Sequence, residues 1–239
     1  MNKELLISDI RQYCRNNQNE SNILKYSRYF KEGLYNGWGL TNAMMESKSK
    51  NLLASEEISL PLVMDAAPEL LKSGKYDEIG IMLLLVKYLH RHYSYEHFKE
   101  IENWYTYSIY NWAHADFLGM YLLPVFVKKG IVQLPDFKKW LNAENKYQRR
   151  SVPVTLIKSL KTHQQYDELF AFIECLMTDP EREVHQGTGW FLREAWKKKP
   201  VETERFLLKW KDISPRLIIQ YATEKMTVEQ KQLFKRVKK

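Results

Sequence analysis

The chain has 239 residues, of which 44% are hydrophobic and 28% charged, with only 9 glycines and 8 prolines. Those proportions fit a folded protein with a substantial core; they exclude a disordered chain and disfavour an all-β fold with many tight turns. The formal net charge of +8, from 37 Lys and Arg against 29 Asp and Glu, directs attention to polyanionic partners.

Taken in order, almost every segment carries apolar residues at three- and four-residue spacing, without sustained period-two alternation. The spacing predicts helices over 2–15, 21–32, 41–54, 59–73, 76–91, 94–109 and 111–129. Further helices are expected over 134–142, 147–162, 165–178, 181–198, 201–210, 214–224 and 227–237. Breaks fall at turn chemistry such as Asn16-Asn17-Gln18-Asn19, Ser73-Gly74-Lys75 and Thr178-Asp179-Pro180. Asp179-Pro180 reads as an N-cap followed by proline at the first helical position. The apolar runs Ile79–Val86 and Met120–Val127 fall well short of the ~20 residues that span a bilayer, so no membrane association is expected. The N-terminal stretch MNKELLISDIRQYC mixes both charge signs and lacks a signal peptide's apolar core. Cys14 and Cys175 are far apart and without metal-ligand spacing, which points to buried structural thiols in a reducing cytoplasm.

A repeat emerges when the segments are aligned. SGKYDEIGIMLLLVKYL, YNWAHADFLGMYLLPVFV, ENKYQRRSVPVTLIKSL and REVHQGTGWFLREAW each have a polar turn, then an aromatic or apolar residue (Tyr76, Trp112, Tyr147, Val184), then a long apolar helix. The spacing is about 36 residues, that of helical-hairpin solenoids. ISPRLIIQYATEKM continues the series with a shorter, more basic unit, as a terminal cap does. Pro68, Pro124 and Pro153 fall inside or near the start of these helices, where they kink a helix or limit its first turn. The expected fold is all-α, a curved α-solenoid of HEAT-like helical repeats forming a single domain over 1–239.

In such an array, equivalent positions of successive repeats fall on one surface. Trp112, Arg149, Arg150 and Trp190 all stand near the start of their repeat's apolar helix, and Asp116 lies one turn after Trp112. Convergence of two indoles, a carboxylate and several guanidiniums is therefore expected. Each residue also has a plainer reading. The tryptophans could be core residues rather than an electron-rich wall for a sugar or cationic group. Asp116 could cap a helix beginning at Phe117 rather than stabilise a developing positive charge or position a water. Arg149, Arg150 and Arg193 could form surface salt bridges rather than grip phosphate. His114 faces away from both neighbours and reads as structural, and His185 has no partner at ligand spacing, so no metal site or cofactor is expected. No Gly-rich phosphate loop and no Ser/His/Asp order is present. Residues 193–239 hold fourteen basic and six acidic side chains, so this segment carries the whole charge excess. It reads as a polyanion footprint or as a solvated basic tail.

At these residues the sequence resembles the AlkD-like DNA alkylation repair family, alkylpurine DNA glycosylases built from HEAT-like repeats. The matching motifs, in the family's order, are Arg28-Tyr29-Phe30-Lys31, Asn111-Trp112-Ala113-His114-Ala115-Asp116, Arg149-Arg150-Ser151 and Gly187-Thr188-Gly189-Trp190-Phe191-Leu192-Arg193-Glu194. The resemblance runs over nearly the whole chain. It implies stacked repeats wrapping duplex DNA in a basic cleft, and excision of cationic alkylated purines such as N3-methyladenine or N7-methylguanine without the base flipping that most glycosylases use. It assigns Asp116 to stabilising the oxocarbenium-like sugar, Trp112 and Trp190 to cradling the deoxyribose, and Arg150 to nearby phosphate, with Arg193 and Tyr29 assisting. A capped array that uses its concave face for DNA has no need to pair, so a monomer is expected, located in the bacterial cytoplasm or nucleoid. Two departures bear on affinity and substrate range: Gly39-Leu40-Thr41-Asn42 lacks the family's following proline and arginine, and Gln186 stands where lysine is frequent. Two rival functions fit the same residues. One is a non-catalytic DNA-binding scaffold of the same fold that recognises bent, branched or damaged DNA. The other is a protein–protein adaptor using the aromatic stretch Trp104–Trp112.

Overall fold

The computed structural model describes residues 1–30 and 35–236. Among them every regular element is helical. The first seven helices are α1 (Lys3–Asn16), α2 (Glu20–Ser27), α3 (Asn42–Leu53), α4 (Leu60–Lys72), α5 (Tyr76–Tyr88), α6 (Tyr95–Tyr107) and α7 (Trp112–Phe117). The rest are α8 (Leu123–Lys128), α9 (Lys146–Ser159), α10 (Tyr166–Ile173), α11 (Arg182–Trp196), α12 (Pro200–Trp210), α13 (Arg216–Ala222) and α14 (Val228–Gln232). The all-α architecture expected from the periodicity is the one adopted. The helices α5, α7, α9, α11 and α13 begin at intervals of 34 or 36 residues, which is the repeat read from the sequence.

The departures from the expected boundaries have local causes. The helix expected over 21–32 ends as regular helix at Ser27, and its last two residues lie outside the described ones. The one expected over 227–237 is regular only to Gln232, and residue 237 is likewise outside. The segment 111–129 is helical, but Leu118–Leu122 widens into a π turn. Pro124 follows immediately; its ring and missing N–H disrupt the ordinary i→i−4 ladder at that point. Leu134–Asn142 forms a 3-10 helix, and so does Glu174–Thr178 after α10. Asp179 is extended, with φ −56° and ψ 140°, as the residue before a proline prefers. It is not the N-cap of α11: the helix starts at Arg182, and Asp179 Oδ1 instead accepts the Glu181 N–H in a local turn. Cys14 is buried as expected, but Cys175 is exposed, because in that tightened turn Leu176 and Met177 are the residues that enter the core.

The chain divides into two compact units, one spanning Met1–His114 and one beginning at Ala115. In the first, α5 packs against α1, α3 and α4, and it is buried along most of its length from Asp77 to Val86. Trp104 and Tyr105 on α6 are core residues, 0% and 1% exposed, so two of the five aromatics of the stretch proposed for an adaptor surface are withdrawn from it, while Tyr110 is 63% exposed. Asp77 is also fully buried. Its carboxylate accepts the backbone N–H groups of Trp38 at 2.5 Å and Leu40 at 2.9 Å. Burial pushes its pKa upward, and those backbone donors oppose the shift. The clamped segment needs glycine at position 39: its φ is +80°, and a Cβ there would lie 2.4 Å from the Asn19 carbonyl oxygen. Thr41, in the stretch that departs from the family pattern, caps α3 by accepting the Met44 N–H.

In the second unit α11 is the central helix, packed between α9 and α13. Gly187 and Gly189 make that possible. A Cβ on Gly187 would lie 2.9 Å from Arg150 Cγ, and one on Gly189 would lie 2.8 Å from the Ile218 carbonyl oxygen. On the same principle Gly119, in the π turn, admits Val154 of α9, whose Cγ1 lies 2.8 Å from the position of a Cβ. Behind this row Phe170 of α10 stacks on Phe206 of α12, with centroids 4.9 Å apart. Close approach through small residues, rather than long apolar side chains alone, sets the spacing of the helices that carry the candidate site.

Candidate functional site

The sequence folds the candidate residues into two local constellations, one in each unit. The first is built around the start of α7. Asn111 accepts the His114 N–H through its Oδ1 at 2.9 Å, closing the first turn as a cap does. Its side-chain nitrogen meets His114 Nδ1 at 2.8 Å, and His114 Nε2 lies 3.2 Å from the Tyr76 carbonyl. The imidazole stacks on the Tyr76 ring, with centroids 4.7 Å apart. Burial lowers its pKa to about 4, against the small opposing effect of the Tyr76 carbonyl, so the ring is neutral near pH 7. A neutral ring that donates from Nε2 and accepts at Nδ1 satisfies both contacts.

This arrangement fixes Trp112. Its indole stacks on Phe30, at 5.6 Å and 21° between planes, and its Nε1 donates to the Tyr29 carbonyl at 3.4 Å. Trp112 nevertheless stays 38% exposed, and Tyr29 is 60% exposed. Trp112 is therefore braced and open, not a core residue. Tyr29 meets it through the backbone, so the contact depends on the path of the chain rather than on the phenol. Lys31, the last residue of that motif, lies outside the described residues.

The second constellation centres on Asp116. It lies inside α7, which begins at Trp112, so the reading of Asp116 as the cap of a later helix does not hold. Its carboxylate is gripped by Arg150 of α9: Nε donates to Oδ1 at 2.7 Å and Nη2 to Oδ2 at 2.8 Å. Arg150 Nη1 donates to the carbonyl of Glu183 on α11 at 2.6 Å. One buried guanidinium thus ties together three successive repeat helices. Beside it the Ser151 hydroxyl donates to the Tyr147 carbonyl at 2.9 Å and has the Ala115 carbonyl at 3.3 Å. A planar fork on a carboxylate fixes the carboxylate plane and leaves its other lone pairs available.

The other candidates have different surroundings. Arg149 donates to Asp179 from Nε at 2.6 Å and from Nη2 at 3.2 Å. Its Nη1 donates to the carbonyls of Ala143 at 2.6 Å and Glu144 at 3.0 Å. The N–H groups expected to meet phosphate are thus directed within the protein. Arg150 is in the same position, with its fork on Asp116. Arg193 donates to Glu194 and Glu224, and the Lys225 and Arg193 cations hold Glu224 below the usual carboxylate range. Trp190 is half-buried on α11, next to Gly189. Gln186, one turn before it, donates to the Tyr221 hydroxyl at 2.9 Å. His185 is buried, with Nε2 on the Asp179 carbonyl. Among the described residues no cluster of three His, Cys, Asp or Glu side chains could hold a metal ion, and no helix is long and apolar enough to cross a membrane.

Sequence reasoning missed Phe30 as the stacking partner of Trp112, the Glu183 carbonyl as a ligand of Arg150, and Asp179 as the partner of Arg149. Only Asn111 carried a local signal, since Asn immediately before a helical run is a common cap.

Comparison with known proteins identifies the family and the fold. The family model described as DNA alkylation repair enzyme matches residues 10–226, and the chain belongs to that family. A solved structure titled predicted DNA alkylation repair enzyme, from Enterococcus faecalis, is similar to 88% of this chain and 97% of its own, with TM-score 0.75 and 17% identity. AlkD2 from Streptococcus mutans is similar over 87% of this chain and 99% of its own, with TM-score 0.59 and 18% identity. The protein smu.31 from Streptococcus mutans UA159 is similar over 87% and 98%, with TM-score 0.57 and 20% identity. At these identities the likeness is one of fold, and it is a helical-repeat fold. None of the curated proteins matches the chain.

Proposed function

We propose that this protein is a DNA glycosylase that releases cationic alkylated purines, N3-methyladenine and N7-methylguanine among them, from duplex DNA. The observation that carries the reading is the Asp116 carboxylate, set inside a helix rather than at its cap and held in plane by Arg150. In the reaction the C1′–N bond breaks and its electron pair leaves with the base, neutralising the positive charge that alkylation placed there. Such a leaving group needs little protonation. The demand on the enzyme is instead to stabilise the oxocarbenium-like sugar, and a preorganised carboxylate suits a developing positive charge. Asp116 also orients the water whose oxygen bonds to C1′, with loss of a proton. Trp112 is proposed to meet the deoxyribose, and its exposure supports that role; the same role is proposed for Trp190. No cofactor enters the reaction.

The protein acts on DNA as a monomer in the bacterial cytoplasm or nucleoid. The runner-up is a non-catalytic scaffold of the same fold for bent, branched or damaged DNA. The two readings separate on alkylated duplex DNA. The glycosylase releases methylated purines and loses release in Trp190→Ala; the scaffold binds with steep salt dependence and releases none.

A further inference from the structure

Adjacent arginines on α9 divide two tasks between them. Arg150 reaches back to Asp116, while Arg149 reaches forward to Asp179 in the turn before α11. Arg149 is also bonded to the carbonyls of Ala143 and Glu144, just ahead of α9. Asp179 is itself fixed, because its Oδ1 accepts the Glu181 N–H. Its side chain is 5% exposed and that of Arg149 11%. Two residues beyond Glu181, the Glu183 carbonyl receives Arg150 Nη1, and the Glu183 carboxylate receives Lys146 of α9 at 2.9 Å.

We infer that Arg149 and Asp179 form a positioning pair, which locks the turn before α11 so that the Glu183 carbonyl holds Arg150 in register on Asp116. The geometry supports this over a phosphate contact: a phosphate at Arg149 would have to displace a buried two-pronged partner and two carbonyls. Removing either member frees the turn, shifts the Glu183 carbonyl and loosens the plane of the Asp116 carboxylate. Displacements of that kind cost far more in rate than in binding. As a consequence for catalysis the inference rests on the glycosylase reading; as a statement about Arg150 it does not.

The test compares Arg149→Gln, Asp179→Asn, the double variant and Arg149→Lys in the full chain. Single-turnover release of N7-methylguanine is expected to fall roughly ten- to a hundredfold in each of the first two. The double variant should be no slower than the worse single one, because the two side chains act as a unit. Arg149→Lys, which keeps the charge but not the fork, should fall between. Affinity for unmodified duplex DNA and its salt dependence should stay at wild-type values. A phosphate ligand gives the opposite pattern: Arg149→Gln reduces the salt slope by about one, and Asp179→Asn does not. That result overturns the proposal. A second readout needs no activity. The Nε–H resonance of Arg150, assigned with Arg150→Lys, should be protected from exchange in wild type and lose protection in both single variants. Retained protection in both overturns the proposal, even if the wild-type protein releases no base. Lost protection with no base release leaves the positioning pair standing and removes the glycosylase reading alone.

Discussion

Arg150 and Asp116 face each other as a two-pronged pair, with both guanidinium-to-carboxylate distances below 3 Å. The pair is mostly buried, with side chains 7% and 16% exposed. A guanidinium so placed cannot easily leave to meet a phosphate, because its charge and that of Asp116 would each lose a mostly buried partner. Its function is better understood through Asp116 than through DNA. The resemblance implies a phosphate role for Arg150; in this chain its donors are directed to Asp116 and the Glu183 carbonyl.

Arg150→Lys keeps the positive charge and loses the fork. Base release should fall roughly ten- to a hundredfold, and stability should drop by about 1–3 kcal/mol, as the Glu183 carbonyl or one carboxylate oxygen loses its donor. Single-turnover rates and a denaturation midpoint on the same preparation check both effects.

Phe30→Leu removes the ring on which Trp112 stacks while keeping an apolar residue there. An aromatic pair is worth about 0.5–1.5 kcal/mol beyond its buried area. A modest loss of stability is expected, with a clearly reduced rate of base release and nearly unchanged DNA affinity. An unchanged rate would mean that the orientation of Trp112 does not matter to the reaction.

Gly187→Ala and Gly189→Ala test the close approach of the repeat helices. The Gly187 side faces the flexible stem of Arg150, which can move by a few tenths of an ångström; the Gly189 side faces the Ile218 backbone, which cannot. Gly189→Ala should therefore be the more destabilising, by about 1–3 kcal/mol. Gly187→Ala should act more on the rate of base release than on the melting temperature.

His114 gives a pH dependence whose sign can be worked out. Its folded pKa is depressed to about 4 from the ordinary 6.5. Between those values the unfolded chain takes up a proton that the folded ring refuses, so stability is full above the unfolded pKa and falls as pH drops through this window. The loss amounts to roughly 3 kcal/mol. His114→Gln, which does not titrate, should flatten that part of the stability–pH curve as measured by denaturant midpoints.

The repeat and the all-α fold were legible in the sequence because apolar spacing and the recurrence of about 34–36 residues are local or periodic signals. That Trp112 and Asp116 lie on one helix was legible from their spacing. The surroundings of the arginines were not. Arg149 and Arg150 are neighbours in sequence, yet one turns to Asp179 and the other to Asp116, and no local pattern states which carboxylate a long side chain will find. Nor does sequence show that Glu183 would offer its carbonyl to Arg150 while its carboxylate takes Lys146. The misplaced cap at Asp179 has the same origin: the side chain was recruited by Arg149 and by the Glu181 N–H, and the helix began later.

The role proposed for Asp116 is read out by single-turnover release of N7-methylguanine from a defined duplex, wild type beside Asp116→Asn. The substitution keeps the size of the side chain and removes its charge. Wild type should release the base, and Asp116→Asn should lose at least about a hundredfold in rate, with DNA affinity largely kept. Equal rates for the two proteins, or no release by wild type above the uncatalysed background, would contradict it.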